Sequence, residues 1–304
     1  MRMSTRWKRK WILALLVLLI AAASMTTATF AWYIYQTSAH TTSIHMAVGT
    51  GATLQISTDK DDTASFRSKT EMKSFNGRLN PVSTNRITGG FQRAQAYHFT
   101  EGTAERPFML AKFFEPSVEN VDYYKTTLYL RANGEKRGIY VSAIDGDDAD
   151  ASKPIKTAIR IGLVVHEPGF YGEVTDADRD RVKEFIFELS SESNTTGRYN
   201  TYYGEPGHVL DCDKTDGSTV LFDSLLTEDN YCDYDETTGY VTLKPNTVEL
   251  LRLGSDDLND PKAFCAPVQI DVYVWLEGCD IDCTENLLGA TLENLALHFA
   301  GENQ

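Results

Sequence analysis

The feature that most constrains this chain is an alternation of period two. In "VQIDVYVWLE", Val268, Ile270, Val272, Val274 and Leu276 fall on one face. Gln269, Asp271, Tyr273, Trp275 and Glu277 fall on the other. Successive side chains of a strand point to opposite faces, so the pattern predicts a half-buried strand with an aromatic outer face. The alternation recurs. "TLYLRANGEKRGIYVSAI" gives two strands around an Asn133-Gly134 turn, with Leu128, Leu130 and Ala132 before it and Ile139, Val141 and Ala143 after it. "AIRIGLVV", "GYVTL" and "NLALHF" supply more, the last with Leu295, Leu297 and Phe299 in register. "TDADRDRVKEFIFELS" reads as a short helical lead-in, capped by Thr175 or Asp176, followed by a strand. Strands broken by polar loops, without regular helices between them, predict an all-β chain of antiparallel sheets in a sandwich or barrel. With 304 residues, 42% of them hydrophobic, a sizeable core is affordable. Residues 169–235 read as a loop-rich insertion, because they hold no apolar run large enough for a core of their own.

The N-terminus predicts export. Arg2, Arg6, Lys8, Arg9 and Lys10 precede a run of uncharged, mostly apolar residues from Trp11 to Met25, the pattern of a secretory signal. "TTATFAWYIY" extends the uncharged run to Tyr35, so an uncleaved anchor helix is the alternative to cleavage at Ala31. Residues 1–31 are thus a signal peptide or signal anchor, and residues 32–304 form the exported domain. The membrane is met only through the N-terminal segment, and the body lies outside the cell or on its surface. From Trp11 to Thr58 there is no Asp, Glu, Lys or Arg. Past the signal this stretch is rich in Thr, Ile and Val, which is strand chemistry. It places Ile44, Met46 and Val48 on a charge-free strand running to about Ser57.

Net charge is −14, and removing the five N-terminal cations leaves a more acidic body still. Such a surface repels phosphate backbones, so nucleic acid is not an expected partner. The five cysteines are Cys212, Cys232, Cys265, Cys279 and Cys283. In an oxidising compartment they predict at least one disulfide, with Cys212–Cys232 and Cys283 to Cys279 or Cys265 preferred. Zinc is disfavoured because the cysteines do not form two pairs and no histidine pair lies nearby. Glu277, Asp280, Asp282 and Glu285 surround the Cys279–Cys283 loop and are calcium candidates, since calcium takes several hard oxygens. "DGDDAD" (Asp145 to Asp150) and "DCDKTDG" (Asp211 to Gly217) are acidic too, but match no EF-hand loop. "VVHEPGF" carries His166-Glu167 without the second histidine of H-E-x-x-H, which leaves His166 as a loop residue after a strand. No G-x-S-x-G or P-loop is present. "RYNTYY" clusters Tyr199, Tyr202 and Tyr203 in a polar loop suited to sugars or protein surfaces.

The order of these features carries a resemblance. The signal ends in "TATFAWYIY"; "SIHMAVGTGATLQIS", "DYYKTTLYLRA" and "AIRIGLVV" follow, and "VYVWLEGCDIDCTENLLGATLENLALHF" closes the chain. This resembles exported proteins of Gram-positive, especially clostridial, bacteria and, more distantly, the camelysin and TasA family processed by SipW-type signal peptidase. The resemblance implies a jelly-roll β-sandwich on the cell surface or in the biofilm matrix, with signal peptidase as an export partner. TasA-like members assemble into fibres, so it also implies self-assembly through the N-terminal strand holding Ile44, Met46 and Val48. Camelysin is described as a metallopeptidase, but no zinc-peptidase motif is found here. The expected function is therefore a non-enzymatic surface or matrix protein without a cofactor, calcium excepted. The alternatives are a monomeric carbohydrate- or protein-binding module and a secreted metallopeptidase.

Overall fold

The alternating segments fold as strands in the structure, a computed structural model. It describes residues 38–41, 44–46, 54–72, 79–84, 86–99, 108–190, 208–210, 219–221, 225–235, 237–257, 260, 262–278, 283, 287 and 289–302. The hydrophobic N-terminus with Ala31, and Val48, Cys212, Cys279, Asp280, Asp282, Glu285 and the tyrosine-rich loop, lie outside the described residues. In chain order the strands begin with β1 (Ser38–Thr41), β2 (Ile44–Met46), β3 (Leu54–Ser57), β4 (Lys69–Thr70) and β5 (Pro81–Ser83). Next come β6 (Gln92–Phe99), β7 (Phe108–Pro116), β8 (Tyr124–Ala132), β9 (Arg137–Asp148), β10 (Ile159–His166) and β11 (Val182–Glu188). Then follow the short strands β12 (His208–Leu210), β13 (Thr219–Leu221), β14 (Leu225–Leu226), β15 (Asp233–Asp235), β16 (Tyr240–Thr242) and β17 (Leu251–Leu253). The long strands β18 (Val268–Glu277) and β19 (Thr291–Gly301) close the chain.

Two large sheets result. One runs β17-β9-β19-β2-β4, with β1 also on β19. The other runs β14-β11-β10-β18-β5-β6-β7, with β8 and then β3 on the same side of β18 as β5. Apolar faces of both sheets meet in one core. Ile139, Val141, Leu295, Leu297 and Phe299 come from the first sheet. Leu128, Leu130, Ile161, Leu163, Ile270, Val272 and Val274 come from the second. Completely burying a Leu, Ile or Phe side chain is worth about 1.5–3 kcal/mol. The alternation of β18 and β19 thus fixes which face goes inward.

Three expectations are corrected. The Asn133-Gly134 turn does not close a hairpin: β8 pairs with β18 and β3, whereas β9 pairs with β17 and β19. The turn carries the chain from one sheet to the other, because Leu128, Leu130, Ile139 and Val141 must reach one core from opposite walls. The sheets are mixed rather than antiparallel. Pairs β1–β19, β2–β19, β5–β18 and β11–β14 are parallel. The charge-free stretch is not one strand either, since β2 joins the first sheet and β3 the second. The helical lead-in before β11 is a 3-10 turn over Asp176–Arg181, closed by reciprocal bonds between Thr175 and Asp178. Residues 169–235 contribute β11 and β14 to the second sheet.

Candidate functional site

Strand β18 is buried on both faces, not half-buried. Its second face carries Gln269, Asp271, Tyr273, Trp275 and Glu277, and Ile87, Phe91 and Tyr123 lie over part of it. Phe91 stacks on Tyr123 with ring centroids 4.3 Å apart and meets Trp275 edge-on at 5.1 Å. Gly162 lies opposite Tyr273 in β10. A Cβ there would stand 2.7 Å from Ile87 Cδ1 and 3.0 Å from Trp275 Cζ3, so this cover packs closest over a glycine. Two carboxylates fasten it. Asp122, fully buried, accepts from Arg93 Nη2 at 2.9 Å, Asn80 Nδ2 at 2.5 Å and the Val118 N–H at 2.7 Å. Glu184 accepts from the Ile87 N–H at 2.7 Å and Arg86 Nε at 3.1 Å. Trp275 Nε1 donates to Glu277 Oε2 at 3.0 Å.

Beyond the aromatic layer lies a polar cluster. Thr127 faces Asp271 across the β8–β18 pair, and Gln269 sits two residues from Asp271 on the same face. His166 follows Val165, the partner of Ile270, and so reaches Gln269 and Asp271 from the other side of β18. Asp271 Oδ1 accepts from Thr127 Oγ1 at 2.7 Å and from Gln269 Nε2 at 3.0 Å. Asp271 Oδ2 lies 3.0 Å from His166 Nε2. The Gln269 amide is held at both ends by Gly172, whose N–H donates to Oε1 at 2.9 Å and whose carbonyl accepts from Nε2 at 3.2 Å. Gly172 adopts φ +99, a conformation side chains rarely take, which lets both of its backbone groups face the amide. Above, Phe170 stacks on His166 at 5.3 Å, and the Arg181 guanidinium lies 4.0 Å over the Phe170 ring.

The electrostatics follow from the donor count. Both Gln269 amide hydrogens are committed, so the bond between His166 and Asp271 is the imidazole's own Nε2–H donation. Among the described residues His166 Nδ1 is buried without a hydrogen-bond partner. Burial works to raise the Asp271 carboxyl, but hydrogen bonds from His166, Thr127 and Gln269 outweigh it and hold the group below its ordinary value. Burial also opposes the charge on neighbouring Lys125, yet Tyr273, Glu173, Asp271 and Glu119 together push its pKa above the usual lysine value. The cluster therefore sets a hydroxyl, a carboxamide, a carboxylate and an imidazole within hydrogen-bonding reach in a water-poor interior. His166, expected in a loop, is the last residue of β10, and the polar face of β18, expected toward solvent, is buried. The available signal was that face itself, which alternates Gln, Asp, Tyr, Trp and Glu without a gap.

The other predicted residues stand apart. Cys232 and Cys265 are free thiols, so neither Cys212–Cys232 nor Cys265–Cys283 forms, and Cys279 lies outside the described residues. Cys232 packs in a small cluster with Tyr140, Val241 and Ala300, where burial pushes its thiol up to about 11. Cys265 accepts the Ala132 N–H at 3.3 Å inside the main core. Glu277 is completely buried and bonded to Trp275, which ties it to the aromatic layer. In "DGDDAD" the carboxylates are used separately. Asp145 pairs with His298 at 2.8 Å, Asp147 accepts from Asn294 at 3.0 Å, Asp148 accepts the Lys156 N–H at 3.0 Å, and Asp150 closes its own turn through Ser152. Among the described residues no group of three or more His, Cys, Asp or Glu converges to hold a metal ion. Some of these carboxylates border an open groove of about 620 Å³, lined by Asp145, Asp147, Lys156, Glu228, Asn294 and His298, among others. No family model, no curated protein and no solved structure matches the chain.

Proposed function

We propose that this chain is an exported structural protein of the cell surface or extracellular matrix. In this reading residues 1–31 are the signal or anchor, and residues 32–304 form a sandwich of jelly-roll type that self-assembles without an enzymatic role. One observation carries the reading: where the N-terminal segment lies. β9 pairs along one side of the C-terminal strand β19, from Leu292 to Gly301. On its other side β1 and β2 run parallel to it, with Ser38 opposite Thr291 and Met46 opposite Phe299. An edge filled by a segment next to the expected cleavage site at Ala31 can be filled equally by the same segment of a neighbour. Both arrangements satisfy the same backbone groups. Exchange between copies makes a head-to-tail, open-ended assembly. The likeness to the camelysin and TasA family supports the same reading.

The test removes residues 32–48 and compares the truncated with the processed protein at high concentration, by size-exclusion chromatography and electron microscopy. Exchange predicts oligomers or fibres from the processed form and monomers from the truncated one. Two monomeric proteins differing only in stability would reject it. The groove beside His298 favours a second reading, a monomeric binding module. A glycan array without signal above background would count against that reading's carbohydrate form.

A further inference from the structure

The Asp271 cluster brings together the parts of an acyl transfer whose two reactants both belong to the protein. We propose that the Thr127 hydroxyl and the Gln269 carboxamide react to form an intramolecular ester that joins β8 to β18. The inference does not rest on the assembly reading, since the bond would stand equally in a monomer.

Proximity comes first. Thr127 Oγ1 and Gln269 Nε2 bond the same oxygen, Asp271 Oδ1, at 2.7 Å and 3.0 Å. The two residues are diagonal neighbours on one face of an antiparallel pair, a separation long side chains bridge. Holding reactants in this way converts a slow bimolecular step into a unimolecular one. The catalytic groups are also in place. Asp271 takes the Thr127 proton as Oγ1 bonds to Cδ of Gln269. The negative charge that develops on Oε1 is met by the Gly172 N–H, already 2.9 Å away. Asp271 Oδ1, 3.0 Å from Gln269 Nε2, then passes the Thr127 proton to the leaving nitrogen, while the His166 Nε2–H, 3.0 Å from Oδ2, holds the carboxylate in place. The Cδ–Nε2 bond breaks, ammonia departs with the Thr127 proton, and Asp271 is a carboxylate again. One hydroxyl and one carboxamide become one ester and one ammonia, with no oxidant, metal or cofactor. Asp271 thus acts first as base and then as acid, His166 positions it, and the Gly172 N–H is the oxyanion donor.

Burial explains why the acyl group is internal. His166, Gln269 and Asp271 are 2%, 4% and 3% exposed, so this centre offers no seat for an outside substrate. The same exclusion of water protects an ester from hydrolysis.

Mass spectrometry of the full chain, denatured after purification, decides the matter. Closure predicts a mass about 17 Da below that of the sequence, one ammonia lost by nucleophilic displacement. Fragmentation should yield a branched peptide containing Thr127 and Gln269. Thr127→Val and His166→Ala should each restore the full mass, whereas Thr127→Ser should keep the deficit. A variant that fails to fold does not obscure the outcome, because the wild-type peptide map is read alone. Linear peptides with free Thr127 and an intact Gln269 carboxamide overturn the proposal. A deficit that maps to an asparagine imide or to another residue overturns it too.

Discussion

Gly162 shows how much depends on a single missing methyl group. Its neighbours are the end of Ile87 and the ring of Trp275, which is completely buried. Ile87 can turn away from an added Cβ, but Trp275 is held by Phe91 on one side and by its bond to Glu277 on the other. Gly162→Ala is therefore expected to lower stability by about 1–3 kcal/mol, the usual cost of overpacking. The check is the midpoint of chemical denaturation, and a midpoint equal to wild type would show that the cover is looser than described. The same scale explains why the polar cluster was hard to read. Gln269 and Asp271 obey the alternation that normally sends polar side chains to water. Their burial depends on Phe170 and Gly172, far away in the chain, and period-two patterning carries no information about that cover.

At the scale of elements, the alternating strands β10, β18 and β19 were legible, because an inward apolar face dictates where such a strand can lie. Their connections were less legible. Asn133-Gly134 is a hairpin signal, but the core demanded that β8 and β9 face each other from opposite sheets, and tertiary packing prevailed over the turn. Parallel pairing of the N-terminal segment with β19 had no local signal, since the partners lie at opposite ends of the chain. That pairing makes a prediction of its own. Removing residues up to Val48 leaves one side of β19 without β1 and β2, while β9 still holds the other. Each lost backbone hydrogen bond is worth about 0.5–1.5 kcal/mol. Hydrogen exchange should accelerate at those β19 amides that β1 and β2 satisfy, and much less in β10. Equal protection of β19 in both proteins would mean the segment adds little to its edge.

For the whole molecule, the acidic balance and the buried cluster act in opposite directions as pH falls. At neutral pH the net charge of −14 is a self-repulsion that acid progressively removes. Asp271 then sets the limit. Its folded pKa lies below its ordinary value of about 3.9, so at low pH the unfolded chain binds more protons than the native state. The stability it supplies is complete above that ordinary value and is lost as pH drops through the lower, folded one. Without the cross-link, stability should accordingly hold or rise from neutral pH toward about 4 and fall below it. The cross-link would complicate the comparison, so both partners carry Thr127→Val, which leaves the His166 and Gln269 bonds to depress the carboxyl. Against that background, adding Asp271→Asn removes the titrating group and should flatten the acid limb, besides lowering stability at neutral pH. Urea titrations at several pH values measure both effects. Parallel acid limbs in the two proteins would assign the loss to other carboxylates and remove Asp271 from the account.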